Sequence, residues 1–410
     1  MTGQRPPAPA GAPASRGPDA PEALFAAARR RRRRRRAVTA AVLVIAAAVI
    51  IASVTWLHHP TGRGTGGTRT AGAAQTPWSS VTLIWFDGTR LRAGHLEPGG
   101  GITQRAVAEA NADALPLVQA GGRVFWVDPA GTFVPALGYW SQVVRYLDVA
   151  TGRTGVAGPG QTVFASADGR DLFMSQTATI MTESPVTAPA AVRQLSLPHG
   201  WYLPGGDGLA DLFSGAGLDT ANGIVVQSEQ APSPGGLVLA LWNPASGRVV
   251  VIGRARGVID AYTPPGARYS LLAWLPARCC TLEITNTATL AAMPVRSPQP
   301  DGFALGGSFS PAGPTGARLA VFLNGTPGGP ARLALVDPAT GAMRVVPGTR
   351  FALGSDIAWA RWLPGGATLV AGATTGRSYL VDAVTLSARP LVVRGRGAAD
   401  LNYTTAVVAP

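Results

Sequence analysis

Two hydrophobic rhythms divide the chain. From Ala37 to Leu57 the sequence AVTAAVLVIAAAVIIASVTWL runs twenty-one residues without a charge. Beyond Trp78 the apolar stretches are short, and clusters of Gly, Pro, Asp and Asn separate them. The first rhythm predicts a helix of roughly 31 Å, matched to a hydrocarbon core of about 30 Å. The second lacks a sustained 3.6-residue period and predicts many short strands joined by tight turns.

One turn motif recurs among the strands: an apolar run, then Asp or Asn, two or three small residues, Gly, and a further apolar run. Its best copies are VRYLDVATGRTGV at Asp148, LALWNPASGRVVVI at Asn243 and LALVDPATGAMRVV at Asp337. LEITNTATLAAM at Asn286 and SYLVDAVTLSARPLVV at Asp382 follow the pattern without the Gly. The motif predicts a hairpin, in which Asx starts the turn and Gly takes the positive φ that reverses the chain. Asp148 and Asn243 lie 95 residues apart, and Asn243 and Asp337 lie 94 apart, each near two units of 47. Further turns are expected near Pro98 and Ser196, the latter in VRQLSLPHG.

A second marker keeps the same period. ASADGRDLFMS, TPPGARYSLLAW, SPAGPTGARLAVF and WLPGGATLVAG each place a small-residue turn before a strand. A unit near 47 residues suits four strands and three turns. The expected fold is therefore all-β: a β-propeller of seven four-stranded blades over residues 78–410, preceded by one transmembrane helix. A strand within Leu401–Val408 is expected to pair with the first blade and remove an exposed sheet edge. A six-bladed ring or two β-sandwiches stay open, because residues 78–115 and 177–225 carry weak markers.

The segments ASADGRDLF and FSPAGPTGARLAVF and the DPATG hairpin resemble the WD40-like, TolB-type β-propeller repeats of bacterial envelope proteins. The resemblance spans roughly 330 residues and its motifs are structural. It implies a disc with a central channel that binds proteins or small molecules on one face. A fold of this kind does not by itself assign a function.

Charge sharpens the topology. The chain carries a net charge of +13, and none of its 35 basic residues is lysine. Residues 1–36 hold ten arginines, eight of them consecutive from Arg29 to Arg36, against Asp19 and Glu22. That tail alone contributes +8, and the rest of the chain has scattered arginines. This distribution argues for membrane topology and against a nucleic-acid-binding face. Arginines directly before an apolar helix keep that end in the cytoplasm, and Trp56 suits the far headgroup layer. The expected organisation is a cytoplasmic, disordered, Arg-rich tail (1–36), a membrane helix (37–57), a Gly/Thr-rich linker (58–77) and an extracytoplasmic domain (78–410). The lipid bilayer is then a partner through the anchor. A cleaved signal peptide is the rival, but the run is long for one and ends in Trp-Leu-His-His, a poor cleavage site.

Candidate chemistry is sparse. Only His95 and His199 lie beyond the linker, and no nucleophile elbow, zinc-protease motif or calcium loop is present. No catalytic, metal or cofactor-binding residues are assigned, and no cofactor is expected. His199, in the aromatic and Gly-rich LPHGWYLPGG, is a candidate face-pocket residue, with a plain connecting loop as the alternative. Asp168, Asp171 and Asp207 are candidates for a carboxylate pair or a Ca²⁺ site, against turn and solvent roles. Cys279 and Cys280, the only cysteines, would form a vicinal disulfide only in a distorted ring, since neighbouring Cα atoms are 3.8 Å apart; two thiols or a structural turn is the other reading. Eight tryptophans beyond residue 80 recur at similar places and are expected to pack between blades. The leading functional expectation is a non-enzymatic binding or scaffold module for an envelope protein or small ligand. A propeller-type hydrolase or lyase acting on glycans or lactones is the alternative, and convergent carboxylates at the channel mouth would favour it.

Overall fold

The computed structural model describes residues 81–86, 90–97, 101–109, 117–128, 133–134, 139–140, 142–175, 177, 179–189, 191–204, 218–228, 237–277, 280–300, 302–311, 316–325, 329–352, 358–373, 377–394 and 406–408. The expected tail, membrane helix and linker lie outside these residues. Among the described residues no helix is long and apolar enough to cross a membrane. All of them fall within one compact unit, Ala74–Pro410, and its regular elements are β-strands.

The strands form antiparallel meanders that follow one another along the chain. The first sheet holds Thr82–Phe86, Arg90–Leu96 and Gly101–Glu109. The second holds Val118–Ala120, Arg123–Asp128, Val143–Asp148 and Thr154–Pro159, with a two-stranded ribbon, Phe133–Val134 and Tyr139–Trp140, in its middle connection. The third holds Thr162–Ala165, Asp171–Ser175, Ile180–Pro185 and Arg193–Ser196. The fourth is seven-stranded: Asp219–Thr220, Gly223–Ser228, Leu237–Trp242, Val249–Tyr262, Leu271–Pro276, Thr281–Asn286 and Ala292–Arg296. Phe303–Phe309, Leu319–Leu323, Arg332–Val336 and Met343–Val345 make the fifth. Ala358–Trp362, Thr368–Ala373, Tyr379–Asp382 and Ser387–Pro390 make the sixth.

Side-chain alternation explains how such apolar strands fold. In Leu319–Leu323 all five residues are buried, but a strand points successive side chains to opposite faces. Leu319, Val321 and Leu323 pack with Ile259, Leu275 and Ile284 of the fourth sheet. Ala320 and Phe322 pack with Ala360, Trp362 and Leu369 of the sixth. Each sheet is thus sandwiched between two others, so its inner strands are apolar on both faces. The outermost strands, such as Arg193–Ser196 and Ser387–Pro390, are mostly exposed.

The same packing runs through all the sheets in chain order and returns to its start. Apolar clusters join the first to the second sheet, the second to the third and the third to the fourth. Others join the fourth to the fifth, the fifth to the sixth, and the sixth back to the first. In the last of these Trp85 of the first sheet and Trp359 of the sixth are both fully buried, consistent with tryptophans that pack between sheets. The chain end completes the closure. Val392–Arg394 lies parallel to Gly101–Glu109 on one edge of the first sheet. Ala406–Val408 pairs antiparallel with Thr82–Phe86 on the other edge, in the stretch where a closing strand was expected. A closed succession of radially packed meanders is a β-propeller.

The Asx hairpins at Asp148, Asn243, Asp337 and Asp382 join third to fourth strands, and that at Asn286 joins the last two strands of the seven-stranded sheet. Asp148, Asn243, Asn286, Asp337 and Asp382 each accept backbone N–H bonds two or three residues on, at 2.8–3.2 Å. The residue four positions later takes positive φ: Gly152, Gly247 and Gly341, but also Leu290 (59°) and Leu386 (58°). The two copies without Gly keep the turn geometry and place a leucine in a conformation that Cβ disfavours. The turn expected near Ser196 is displaced. Ser196 pairs with Ile180 at the end of a fourth strand, and the hairpin itself spans 186–192. The Pro198-His199-Gly200 signal is a real turn, with Trp201 N–H donating to the Pro198 carbonyl, but it leaves the sheet.

Substituting Leu290, which is 40% exposed, by Gly should raise stability by about 1 kcal/mol by relieving the left-handed strain. Gly247→Ala, where an added Cβ meets nothing within 4 Å, should lower it by about 1 kcal/mol. Urea midpoints at unchanged slope would read both effects on the full-length chain in detergent. Equal midpoints for Leu290→Gly and wild type would contradict the strain argument. Truncation after residue 405 should cost about 2 kcal/mol or more through lost ladder bonds on the first sheet.

Candidate functional site

The first strands of successive sheets run in one direction, so their C-terminal ends gather on one face, with the small-residue turns that lead to the second strands. Two cavities open there. The first, about 360 Å³, is lined by Leu117–Gln119, Ala165–Ala167, Asp219, Ala261–Thr263, Ser308, Phe309, Pro311, Arg361 and Trp362. It therefore draws on five sheets, from the second to the sixth. The second, about 620 Å³, lies over the third and fourth sheets and contains Asp168, Asp171, Glu183, Arg193, Asp219 and the Pro264-Pro265-Gly266 turn. Ser166, Ala167, Asp219 and Thr263 line both, so the two cavities adjoin along a shared wall.

Asp219 is the centre of that wall. It belongs to the two-residue first strand of the fourth sheet, directly before the turn to the second strand, and its Oδ2 accepts the Ala167 N–H of the neighbouring turn at 3.0 Å. Burial pushes its carboxyl up to about 6, helped by the negative charges of Asp168 and Glu183 and opposed by the Ala167 bond. Asp168 is held below its ordinary value, first by the Ser166 hydroxyl, which donates to Oδ1 at 2.6 Å. Asp171 is raised, first by burial and then by Glu183 and Asp168. Glu183 is paired with the Arg193 guanidinium. The Ser166 hydroxyl also accepts the N–H groups of Arg170 (3.1 Å) and Asp171 (2.9 Å), so it is committed to holding the turn.

The opposite wall carries Arg361, between Trp359 and Trp362 on the first strand of the sixth sheet. Its Nη1 donates to the Ala360 carbonyl at 2.9 Å. Burial lowers its pKa and the charge of Asp260 raises it, but a guanidinium stays charged in a protein. Asp260 accepts the N–H groups of Ala261 (2.9 Å) and Phe309 (2.8 Å), tying the fourth sheet to the fifth. Trp362 Nε1 donates to the Ser308 carbonyl at 2.8 Å, and Tyr262 stacks on Phe309 at 5.9 Å. Arg361, with Asp260 near it, thus lines the first cavity, Asp168, Asp171 and Glu183 line the second, and Asp219 lines both.

Of the residues singled out from sequence, Asp168 and Asp171 reach this site and Asp207 lies outside the described residues. His199 is exposed on its turn and lines neither cavity. It follows a fourth strand, which places it on the opposite face. Cys279 lies outside the described residues, so the vicinal disulfide does too. Cys280 has positive φ (71°), and its Sγ donates to the Pro300 carbonyl at 2.7 Å; it sits between Leu271–Pro276 and Thr281–Asn286 and lines neither cavity. Among the described residues no three His, Cys, Asp or Glu side chains are grouped to hold a metal ion. Sequence reasoning missed Arg361, Asp219, Asp260 and Glu183. For Arg361 the available signal was a lone charge inside the apolar strand AWARW.

Asp219 binds its proton more tightly when folded, because its folded value of about 6 exceeds the ordinary 3.8. Its contribution to stability is therefore full below about pH 4 and lost as pH rises through about 6. Relative to Asp219→Asn, the wild type should lose about 2 kcal/mol between pH 4 and 7. Urea titrations of both proteins at several pH values read the difference. A pH-independent gap would show that Asp219 titrates normally.

No family model matches the chain, and no curated protein matches it. Solved structures are similar in fold. Apo AztD from Citrobacter koseri is 11% identical with a TM-score of 0.48, over 80% of this chain and 97% of that one. The β-propeller domain of the Trilobed protease from Pyrococcus furiosus is 12% identical with a TM-score of 0.47, over 76% and 94%. TolB from Acinetobacter baumannii is 11% identical with a TM-score of 0.45, over 81% and 67%.

Proposed function

We propose that the chain is a membrane-anchored, extracytoplasmic binding module, with a seven-bladed propeller of TolB type that takes a small polar ligand in the adjoining cavities. The seven-blade reading is supported by the pairing of the long strand Val249–Tyr262 in the seven-stranded sheet. That strand pairs with Leu237–Trp242 through its first half and with Leu271–Pro276 through its second. On this reading it serves as the last strand of one blade and the first strand of the next. The anchor and its orientation rest on the uncharged run 37–57 and the eight arginines before it.

The observation that carries the binding reading is the polar cavity on the face where the first strands end. Its hydroxyls are engaged in the fold: Ser166 holds its turn, and Ser308 Oγ donates to the Phe309 carbonyl at 3.3 Å. Such a site offers fixed charges and backbone groups for recognition. One observation favours catalysis instead. Asp219 and Asp168 are neighbouring carboxylates pushed in opposite directions, the pattern of an acid and a base sharing a site.

Two experiments test the proposal. A C-terminal alkaline phosphatase fusion should be active in intact cells and a C-terminal green fluorescent protein fusion dark; the reverse pattern would overturn the topology. Purified full-length protein incubated with low-molecular-weight envelope extract should retain a compound unchanged, as read by mass spectrometry. Conversion of a compound to a new mass, abolished by Asp219→Asn, would replace the binding reading with the hydrolase or lyase one.

A further inference from the structure

We infer that the end of the domain away from the cavities is a docking surface for anionic lipid headgroups. It is built from Arg332, Arg350 and Arg377 and from the ribbon of Phe133–Val134 and Tyr139–Trp140. The inference rests on the proposed membrane anchor and deepens it, since it gives the anchored domain an orientation. Topology places these parts. First strands end at the cavity face, with the turns that lead to second strands. The connections from second to third strands, and the starts of first and third strands, therefore lie at the other end.

Arg332 opens the third strand of the fifth sheet, and Tyr379 opens that of the sixth. Ala331 and Phe351 exchange backbone hydrogen bonds at 2.8 and 3.0 Å, and the Tyr379 hydroxyl donates to the Arg350 carbonyl at 3.4 Å. The segment holding Arg350 is thus tied beside both Arg332 and Arg377, and the three arginines gather at one seam. All three are exposed, and among the described residues none of them has an ion pair. Guanidinium groups in this state suit phosphate, which they hold through paired hydrogen bonds.

The ribbon lies in the connection between the second and third strands of the second sheet, hence at the same end. Phe133 pairs with Trp140 and Val134 with Tyr139, and residues 129–142 carry no charge. Trp and Tyr favour the headgroup layer of a bilayer. The arginines and the ribbon flank the first sheet, which packs against the sixth on one side and the second on the other. Its first strand begins at Thr82, at that same end, so the chain enters the domain between the two features. The expected linker, residues 58–77, would span about 25 Å on average, which keeps this end near the bilayer. Three arginines near an anionic surface favour docking by on the order of a hundredfold. The cavities then open away from the membrane.

The test is energy transfer in lipid nanodiscs that hold one copy of the full-length chain and acceptor-labelled lipid. In a Cys279→Ser/Cys280→Ser background a donor dye is attached at Ala352→Cys, beside the arginines, or at Ala339→Cys, in the hairpin at the cavity end of the fifth sheet; both positions are exposed. In discs containing phosphatidylglycerol, transfer should be higher from residue 352 than from residue 339. That excess should be lost in discs of phosphatidylcholine alone, a comparison that needs no further variant, and high salt should reduce it. The triple variant Arg332→Gln/Arg350→Gln/Arg377→Gln should lose it too, and Tyr139→Ser/Trp140→Ser should reduce it. A wild-type thermal midpoint for each variant shows that it is folded. Equal transfer from both positions, or an excess indifferent to lipid charge, overturns the inference. An excess seen only with two copies per disc would make the surface a contact between chains and overturn it as well. Equal transfer beside an active phosphatase fusion removes the orientation and leaves the anchor standing, whereas an inactive fusion removes both.

Discussion

Everything in the domain depends on closing the succession of sheets. A sheet whose inner strands are apolar on both faces needs two neighbours, and an open series would leave two sheets with one buried face each. The packing of Trp85 and Leu83 against Trp359 and Val370 removes that deficit by joining the last sheet to the first. Hydrogen bonding closes the same seam, because the chain end runs along both edges of the first sheet. Val392–Arg394 covers the outer edge, and Ala406–Val408 supplies the strand that Thr82–Phe86 would otherwise lack. An unpaired edge there would be a template for aggregation. Two short strands at the chain end therefore close the sheet edges at the same seam that Trp85 and Trp359 close by packing.

Closure also makes the site. First strands that run side by side in one direction bring their ends together, and each end carries a turn. The charged groups at those ends serve the fold before any ligand arrives. Asp219 ties the third sheet to the fourth and Asp260 ties the fourth to the fifth, each through a backbone N–H. A buried carboxylate is costly unless such bonds compensate it. Asp260 has two of them and the nearby charge of Arg361. Asp219 has one across the wall, and burial first, then its two acidic neighbours, hold its proton to about pH 6. The difference between the two aspartates is a difference in the number and sign of their partners.

The repeat was legible in the sequence because its turns are local chemistry. An Asx side chain caps the N–H groups two and three residues on whatever the rest of the fold does, so five hairpins could be located by residue number. The third sheet escaped because its hairpin at 186–192 has no Asx and uses backbone turns such as Ala188 N–H to the Pro185 carbonyl. The stronger Pro-His-Gly signal nearby drew the register away. The seven-stranded sheet built through Val249–Tyr262 was not legible either, since VVVIGRARGVIDAY has two arginines, an aspartate and two glycines and does not read as one continuous strand.

The site was read from sequence least well, for a physical reason. Turn motifs such as ASADGRDLF were weighed as structure, and they are structure: Ser166 and Gly169 shape a turn in which Asp168 is hydrogen-bonded locally. Their function comes from where that turn lies, beside a first strand contributed by residues fifty positions later. Asp219 carries no local signal in GLDTANG, and its carboxyl is raised because the fold buries it and brings Asp168 and Glu183 near, against the opposing Ala167 bond. Arg361 was more accessible to reasoning, since a charge between two tryptophans on a buried strand has to face a cavity or a partner. Local hydrogen bonding therefore shows where the turns are, whereas the charge pattern across the cavity requires the closed ring.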